Sequence, residues 1–335
     1  LNGCTNWRSS MQIFEDIRDV HLPGPTFLTI GNFDGLHRGH QALLAHMQTL
    51  AARHNPPAQT GLITFFPHPL AVLRPDTPLQ LLTTPEERLR LAAEQGIDIG
   101  IVQPFGQEIA ALTAREFMEL LSLRMGLAGL VVGPDFALGR NRAGDLAMLT
   151  ALGEALGYTL HVIDPIDLNG KGVRSSVIRR DLLEGDVSDA AALLGRAYHA
   201  TGVVVEGDKR GRTIGIPTAN IRTRADKLLP ADGVYATFAH ILPDEQSTDP
   251  GTWRTYASVS NLGVRPTVDG SQRWLEAHLL DFPRDGDVAD LYGRTMRIEF
   301  IKRLRGEQRF NGLDELLAQI QRDIATARQF FAEAG

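Results

Sequence analysis

One cysteine, Cys4, is all the thiol chemistry that 335 residues offer. This excludes an intramolecular disulfide, and no Cys/His spacing resembles a zinc site. Long hydrophobic runs are missing too: none approaches the roughly 20 residues needed to span a bilayer, and the start has no basic segment followed by an apolar one. A reducing, cytoplasmic setting with no membrane partner is the expectation. Nor is there an excess of basic charge. Lys and Arg number 34 against 40 Asp and Glu, a net charge of -6, which argues against a general nucleic-acid binder because phosphate neutralisation needs surplus cations. Two familiar phosphate loops are also absent. The nearest string to a Walker A loop, GDKRGRT from Gly207, is one residue short and has Arg212 in place of Lys, and Gly170 and Gly172 are followed by Ser175 where a dinucleotide fingerprint needs its third glycine. Internal repeats and low-complexity stretches are likewise lacking.

What is present is an ordinary globular composition, 43% hydrophobic and 22% charged, on a chain long enough for two domains with separate cores. Met11 opens the part that reads as folded, so Leu1 to Ser10 are treated as an upstream extension. From Thr26 to Ile163 the apolar runs TFLTIG, TGLITF, IDIGIV, AGLVVG and TLHVI alternate with helical patterns, the signature of a parallel sheet with crossover helices. Leu43, Leu44, Met47, Leu50 and Ala51 follow helical spacing and predict a helix packed on that sheet. Ser175 to Tyr198 reads as one or two short helices broken at Gly185 and Asp186. The domain boundary is placed there, giving domains 11–186 and 187–332. Beyond it, TGVVVEG, GVYATFAHI, LEAHLLDF and TMRIEFIKRL are β-rich runs separated by turns and suggest a small antiparallel barrel. The loop Pro243 to Thr252 is expected to be exposed. A terminal helix with Leu313, Leu316, Leu317, Ile320, Ile324, Ala327 and Phe331 on one face should dock on the barrel.

The densest motif is GNFDGLHRGH, Gly31 to His40, between a predicted strand and a predicted helix. Glycines allow close backbone approach, the helix start offers free N–H groups, and His37 and His40 are spaced to reach the same phosphates. They could hydrogen-bond phosphate oxygens and offset charge on a leaving pyrophosphate. An isolated pair of histidines would read as a cap and a surface residue; the glycines and the strand-to-helix context favour the phosphate reading. The motif resembles the HxGH signature of the nucleotidyltransferase superfamily, in the form found in bacterial bifunctional riboflavin kinase/FMN adenylyltransferases. TFFPHP (Thr64 to Pro69), VVGPDFALGRNRAGD (Val131 to Asp145) and RSSVIR (Arg174 to Arg179) are similar to that family in order and spacing. The resemblance implies that Gly31, Asn32, Phe33, Gly35, His37, His40, Ser175, Ser176 and Arg179 bind ATP, with His37, His40 and Arg179 acting in catalysis. Pro67, His68, Asp135, Phe136 and Arg142 would line the flavin side, although Phe136 also reads as a core aromatic. An FMN phosphate is anionic already, so attack on the α-phosphorus needs positioning rather than a strong base.

The β-rich half opens with TGVVVEGDKRGRTIGIPTANI, Thr201 to Ile221, which resembles the flavokinases, with Ile216 where Phe is common. Alone, PTAN reads as a turn. The resemblance assigns Thr218 and Asn220 to Mg2+ and ATP phosphate, Gly207 and Gly211 to a loop over the phosphates, and Glu276 of WLEAHLLDF to the general base for the ribityl hydroxyl. Without it, Glu276 would be a solvent-facing strand carboxylate. The run RTMRIEFIKRLRGEQRF carries six cations, but alternation with Met296, Ile298 and Phe300 makes it a strand with one solvated face rather than a nucleic-acid patch. Its tail resembles the family's LRxExxF, which places Arg309 and Phe310 near the flavin, and NLGVRPT from Asn261 matches a family loop. The implied partners are riboflavin, FMN and ATP, with Mg2+ as cofactor; the oligomeric state stays open. Two alternatives stand beside this reading: a nucleotidyltransferase for another phosphorylated acceptor, and a non-catalytic flavin-binding sensor.

Overall fold

The computed structural model describes residues 11–334 except 23, 78, 169, 208–214, 244–249, 268–269 and 284–290. Two compact units divide between Ser175 and Ser176, one residue into the helix pair that the sequence predicts, whereas the sequence boundary after Asp186 falls between the two helices.

The first unit is a doubly wound α/β layer. In chain order it contains β1 (Gln12–Phe14), β2 (Thr26–Ile30), α1 (Arg38–Arg53), β3 (Gln59–Phe66), α2 (Pro69–Leu73), α3 (Pro85–Glu94), β4 (Ile99–Pro104), α4 (Gln107–Ala111), α5 (Ala114–Met125), β5 (Leu127–Val132), α6 (Leu146–Leu156), β6 (Thr159–Val162) and the two-residue pair β7 (Asp167–Leu168) and β8 (Lys171–Gly172). Strands β1 to β6 form one sheet in the order β1-β4-β3-β2-β5-β6, every ladder parallel. Because side chains alternate along a strand, each buried strand feeds both faces. Leu28, Ile63, Leu130 and Val132 pack toward α5 and α6 with Phe117, Met118, Leu121 and Leu149. Phe27, Leu62 and Val131 pack the other way, against Leu44, Met47 and Ala51 of α1 and Leu89 and Ala92 of α3. Burial of each of the Leu, Ile, Val, Phe and Met side chains among them is worth about 1.5–3 kcal/mol. The helix predicted after His40 is α1, and Leu43 and Leu50 flank its buried stripe as partly buried residues.

Chain order and sheet order together locate a ligand crevice. From β2 the chain runs outward through β3 and β4, then returns past β2 to lay β5 and β6 on its other side. The reversal falls between β2 and β5, and in open α/β sheets ligands bind at the carboxyl ends of the strands where the order reverses. The loops leaving β2, β3 and β5 are GNFDGLHRGH, the Pro67–His68 segment and the Gly133–Asp145 segment.

The second unit begins with α7 (Ser175–Glu184), whose first residue is the last of the preceding unit, and α8 (Val187–Leu194). It continues through β9 (Tyr198–Val205), β10 (Ala219–Thr223), β11 (Gly233–Ile241), β12 (Arg254–Thr267), β13 (Gly270–Leu279) and β14 (Thr295–Arg305) to the terminal helix α9 (Leu313–Ala334). The six strands close into an antiparallel barrel in the order β10-β13-β12-β11-β14-β9. Met296, Ile298 and Phe300 of β14 point inward and are fully buried, and the Phe300 ring meets Tyr235 edge-on at 5.4 Å. Helix α7 is tied to this unit by Ala231 N–H donating to the Leu182 carbonyl (2.8 Å) and by Arg303 donating to the Glu184 carbonyl (3.1 Å).

Three expectations need correction. The outer face of β14 is not simply solvated: Arg297 is buried, its guanidinium 4.3 Å from the Trp253 ring centroid. NLGVRPT is no loop, since Asn261 to Thr267 continue the long strand β12 and pair with β13. Leu313 does not share the docking face of α9. It is 56% exposed, and the helix packs through Ile324, Ala327, Phe330 and Phe331 against Val234, Ala236 and Leu304, because Leu313 opens the helix ahead of that stretch. Of the loop Pro243 to Thr252, residues 244–249 lie outside the described residues.

Candidate active sites

In the first unit the residues between β2 and α1 form a tight, strained turn. Phe33 (φ 46°), Gly35 (φ 89°) and Leu36 (φ 36°) all take positive φ; for the two non-glycine residues this costs on the order of 1–3 kcal/mol each and persists only where the surroundings fix it. A buried network does so. Asp34 accepts from Leu82 N–H (3.1 Å), Thr83 N–H (2.9 Å) and the Thr83 hydroxyl (3.1 Å), and pairs with the wholly buried Arg88 at 3.3 Å. The Thr83 hydroxyl also accepts from Gly35 N–H at 2.9 Å. Sequence reading passed over Asp34, Thr83 and Arg88. The capping box at Thr84 and Glu87 that starts α3 was readable, but nothing local marks Arg88 as buried.

His37 is the N-cap of α1 and is buried, so the sequence alternative of a cap and a surface residue is half right. Its ring stacks on His40 with centroids 3.7 Å apart and 14° between planes, and its Nδ1 faces the His40 amide at 3.4 Å. Gly39 leaves room beside this stack, because a Cβ there would lie 3.2 Å from His37 Nδ1, closer than ordinary van der Waals contact. His40 Nδ1 is buried and has no hydrogen-bond partner among the described residues. Burial, reinforced by the positive potential of His37 and Arg88, holds the His40 imidazole well below its usual value. It is therefore a neutral hydrogen-bonding group at pH 7, not a fixed cation. Gly31 N–H donates to the Ile63 carbonyl (3.0 Å), and the Asn32 carbonyl accepts from the Thr64 hydroxyl (3.0 Å). Ser175, the first residue of α7 and the last of the first unit, donates its hydroxyl to the Asp34 carbonyl at 2.8 Å. Ser176 and the half-buried Arg179 follow within the first turn and a half of the same helix.

The flavin-side residues come from the neighbouring loops. Exposed Pro67 precedes His68, which caps α2 through Leu70 N–H (3.1 Å). Arg142 donates to the Asp135 carbonyl (2.9 Å), closing the loop after β5. Phe136 is partly buried and packs against the core, which favours its reading as a core aromatic.

In the barrel, register does the assembling. Asn220 of β10 pairs with Glu276 of β13, and Glu276 pairs in turn with Asn261 of β12. Partners in register face the same side, about 4.5–5.5 Å apart at Cβ, so the three side chains form one row. Thr218 lies two residues before Asn220, and its segment is held where His278 Nδ1 meets the Pro217 carbonyl at 2.9 Å. Gly207 packs so closely that a Cβ would collide with the Asn220 amide. The Asn220 carboxamide oxygen is buried without a hydrogen-bond partner among the described residues, a neutral oxygen suited to a hard cation. A Cβ at Gly263, two residues along β12 from Asn261, would collide with the Glu307 carboxylate, which brings the LRGEQRF segment to this face. That segment is anchored by the Arg305–Asp323 ion pair (2.8 Å), and Phe310 lies 5.8 Å from the Arg305 guanidinium; Arg309 is exposed. Gly211 lies outside the described residues. The sequence named Asn261 only as part of a motif; its place beside Glu276 emerges from strand pairing.

A doubly wound sheet with a strained His-bearing turn, on the same chain as a closed barrel with a carboxylate beside a cation-suited Asn, defines a two-unit ATP-using transferase. A family model described as FAD synthetase matches residues 20–177, and one described as riboflavin kinase matches residues 194–331. The chain belongs to the family of bifunctional riboflavin kinase/FMN adenylyltransferases. It is 41% identical to the member from Escherichia coli strain K12 and 33% identical to that from Bacillus subtilis strain 168, each match covering 91% of this chain and 92% of the relative. A solved structure described as a macrolide-efflux protein from Streptococcus pneumoniae matches with a TM-score of 0.82 at 28% identity, over 95% of this chain and 98% of that one. Among the described residues no helix is long and apolar enough to cross a membrane.

Proposed function

We propose that the barrel phosphorylates riboflavin and that the α/β unit adenylylates the product, with residues 187–332 and 11–186 as the two catalytic domains. In the first reaction the ribityl 5′-hydroxyl attacks the γ-phosphorus of ATP. Its oxygen bonds to phosphorus, the bond to the β–γ bridging oxygen breaks, the proton passes to Glu276, and FMN and ADP result. An alcohol is a weak nucleophile, which is why this step uses a base. In the second, a phosphate oxygen of FMN attacks the α-phosphorus of another ATP; the α–β bridge breaks, giving FAD and diphosphate, with no proton to remove.

The observation that carries the kinase reading is the register pair Asn220–Glu276 with its unpartnered carboxamide oxygen. Thr218 and Asn220 would hold Mg2+, which when bound neutralises charge on the ATP phosphates. For the adenylyltransferase, Asn32, His37 and His40 would bind the triphosphate, His40 as a neutral donor, with Ser175, Ser176 and Arg179 completing the phosphate site. Arg179 would supply the fixed cation. Pro67, His68, Asp135 and Arg142 line the loops where the flavin would enter, and Arg309 and Phe310 would serve the flavin in the barrel. ATP as co-substrate and the single cysteine support a cytoplasmic setting. Chromatography of the protein incubated with riboflavin, ATP and Mg2+ tests the whole scheme: FMN should appear first and FAD after it, and failure to form either product refutes the corresponding half.

A further inference from the structure

Arg88 has no role in the scheme above, yet it is wholly buried and reaches the phosphate turn at three points. Its Nη2 pairs with the Asp34 carboxylate (3.3 Å) and donates to the Thr83 carbonyl (3.1 Å). Its Nε donates to the Thr83 hydroxyl (3.2 Å), which accepts Gly35 N–H. Its Nη1 donates to the Thr64 hydroxyl (3.3 Å), which in turn donates to the Asn32 carbonyl. One guanidinium thus fixes Asn32, Asp34 and Gly35 from beneath, using the planar fork that no other side chain provides.

We propose that Arg88 is the positioning residue of the α-phosphorus site: through Asp34, Thr83 and Thr64 it sets the backbone of Asn32 to Gly35 so that the stacked His37 and His40 that follow meet the ATP phosphates in reacting geometry. The ion pair alone does not account for an arginine here. A buried pair is poor at stabilising a fold, and apolar replacements are often neutral. What this pair supplies is directional restraint on a turn in which Phe33 and Leu36 hold positive φ, and small displacements of positioning groups are costly to rate.

The proposal rests on the adenylyltransferase reading and is tested within it, on the full chain, with FMN, ATP and Mg2+ supplied. Arg88→Met should lower kcat for FAD formation by about 100-fold, with KM for ATP and FMN moving much less. FMN formation from riboflavin by the same preparation should stay within about twofold of wild type. Because Arg88→Met strands the Asp34 charge, the double variant Asp34→Asn/Arg88→Met should regain much of the lost thermal stability while kcat remains low. Arg88→Lys, which keeps the charge but not the fork, should also stay well below wild type. Recovery of kcat together with stability in the double variant, or kcat within about threefold of wild type in Arg88→Met, would overturn the inference. Absence of FAD formation by the wild-type protein would instead overturn the reading beneath it.

Discussion

Glu276 stands between two carboxamides, Asn220 and Asn261, on the face that Gly207 and Gly263 keep open. Glu276→Gln preserves its size and removes its basicity. FMN formation should then fall by about 10²–10⁴-fold, while FAD formation from supplied FMN stays within about twofold; equal loss of both rates would show that Glu276 is structural. His40 carries a second prediction. Its folded pKa is held below the ordinary 6.5, so below that pH the unfolded chain binds the extra proton more readily than the folded one, and stability falls as pH falls. A one-proton difference has a limiting slope of about 1.4 kcal/mol per pH unit. Urea melts between pH 7 and 5, compared with those of His40→Asn, should show this slope reduced in the variant. At this scale the candidate groups that the sequence offers, His37, His40, Thr218, Asn220 and Glu276, all stand in motifs. The sequence conceals Arg88, which reads as one more charge in PEER. Its burial depends on Asp34, 54 residues away, and no local spacing encodes that distance.

Among the elements, legibility followed apolar density. TFLTIG, TGLITF, IDIGIV and AGLVVG became β2 to β5 because strands buried on both faces are continuous hydrophobic runs, while TLHVI became the edge strand β6, none of whose residues is fully buried. β1 is three residues long, with exposure at two of them, and gives no comparable signal. β10 begins inside PTAN, whose residue types favour turns, and β12 carries the Asn and Gly that suggested a loop. Both are recognisable only through their partners in the barrel. Phe300 shows how that barrel is held. It is fully buried and meets Tyr235 edge-on, so Phe300→Ala should cost about 3–5 kcal/mol. Denaturant unfolding of the full chain checks this; a loss below 1 kcal/mol would mean that the interior repacks around the gap.

For the whole molecule, the proposed scheme separates the two reactions by product: FMN leaves one reaction and enters the other. A mixture of Glu276→Gln and His40→Asn chains should therefore make FAD from riboflavin, although neither variant does so alone. If FMN accumulated in the mixture without FAD, transfer of FMN between chains through solution would be excluded. The order of folds along the chain is legible in the sequence, since alternating strands and helices give way to turn-separated strands after α8. The division between Ser175 and Ser176 was less so, because α7 follows without a linker of distinctive composition.

The barrel is sealed where β9 meets β10, from Asn220 opposite Val205 to Thr223 opposite Gly202. Within the closed stretch each strand has two neighbours, whereas the ends of β12 (Gly263–Thr267) and β13 (Gly270–Trp274) pair only with each other. In the other unit the outermost strands of the large sheet are β1 and β6, three and four residues long. Rims this short offer few hydrogen bonds to a recruit, which should favour survival of the chain at high concentration.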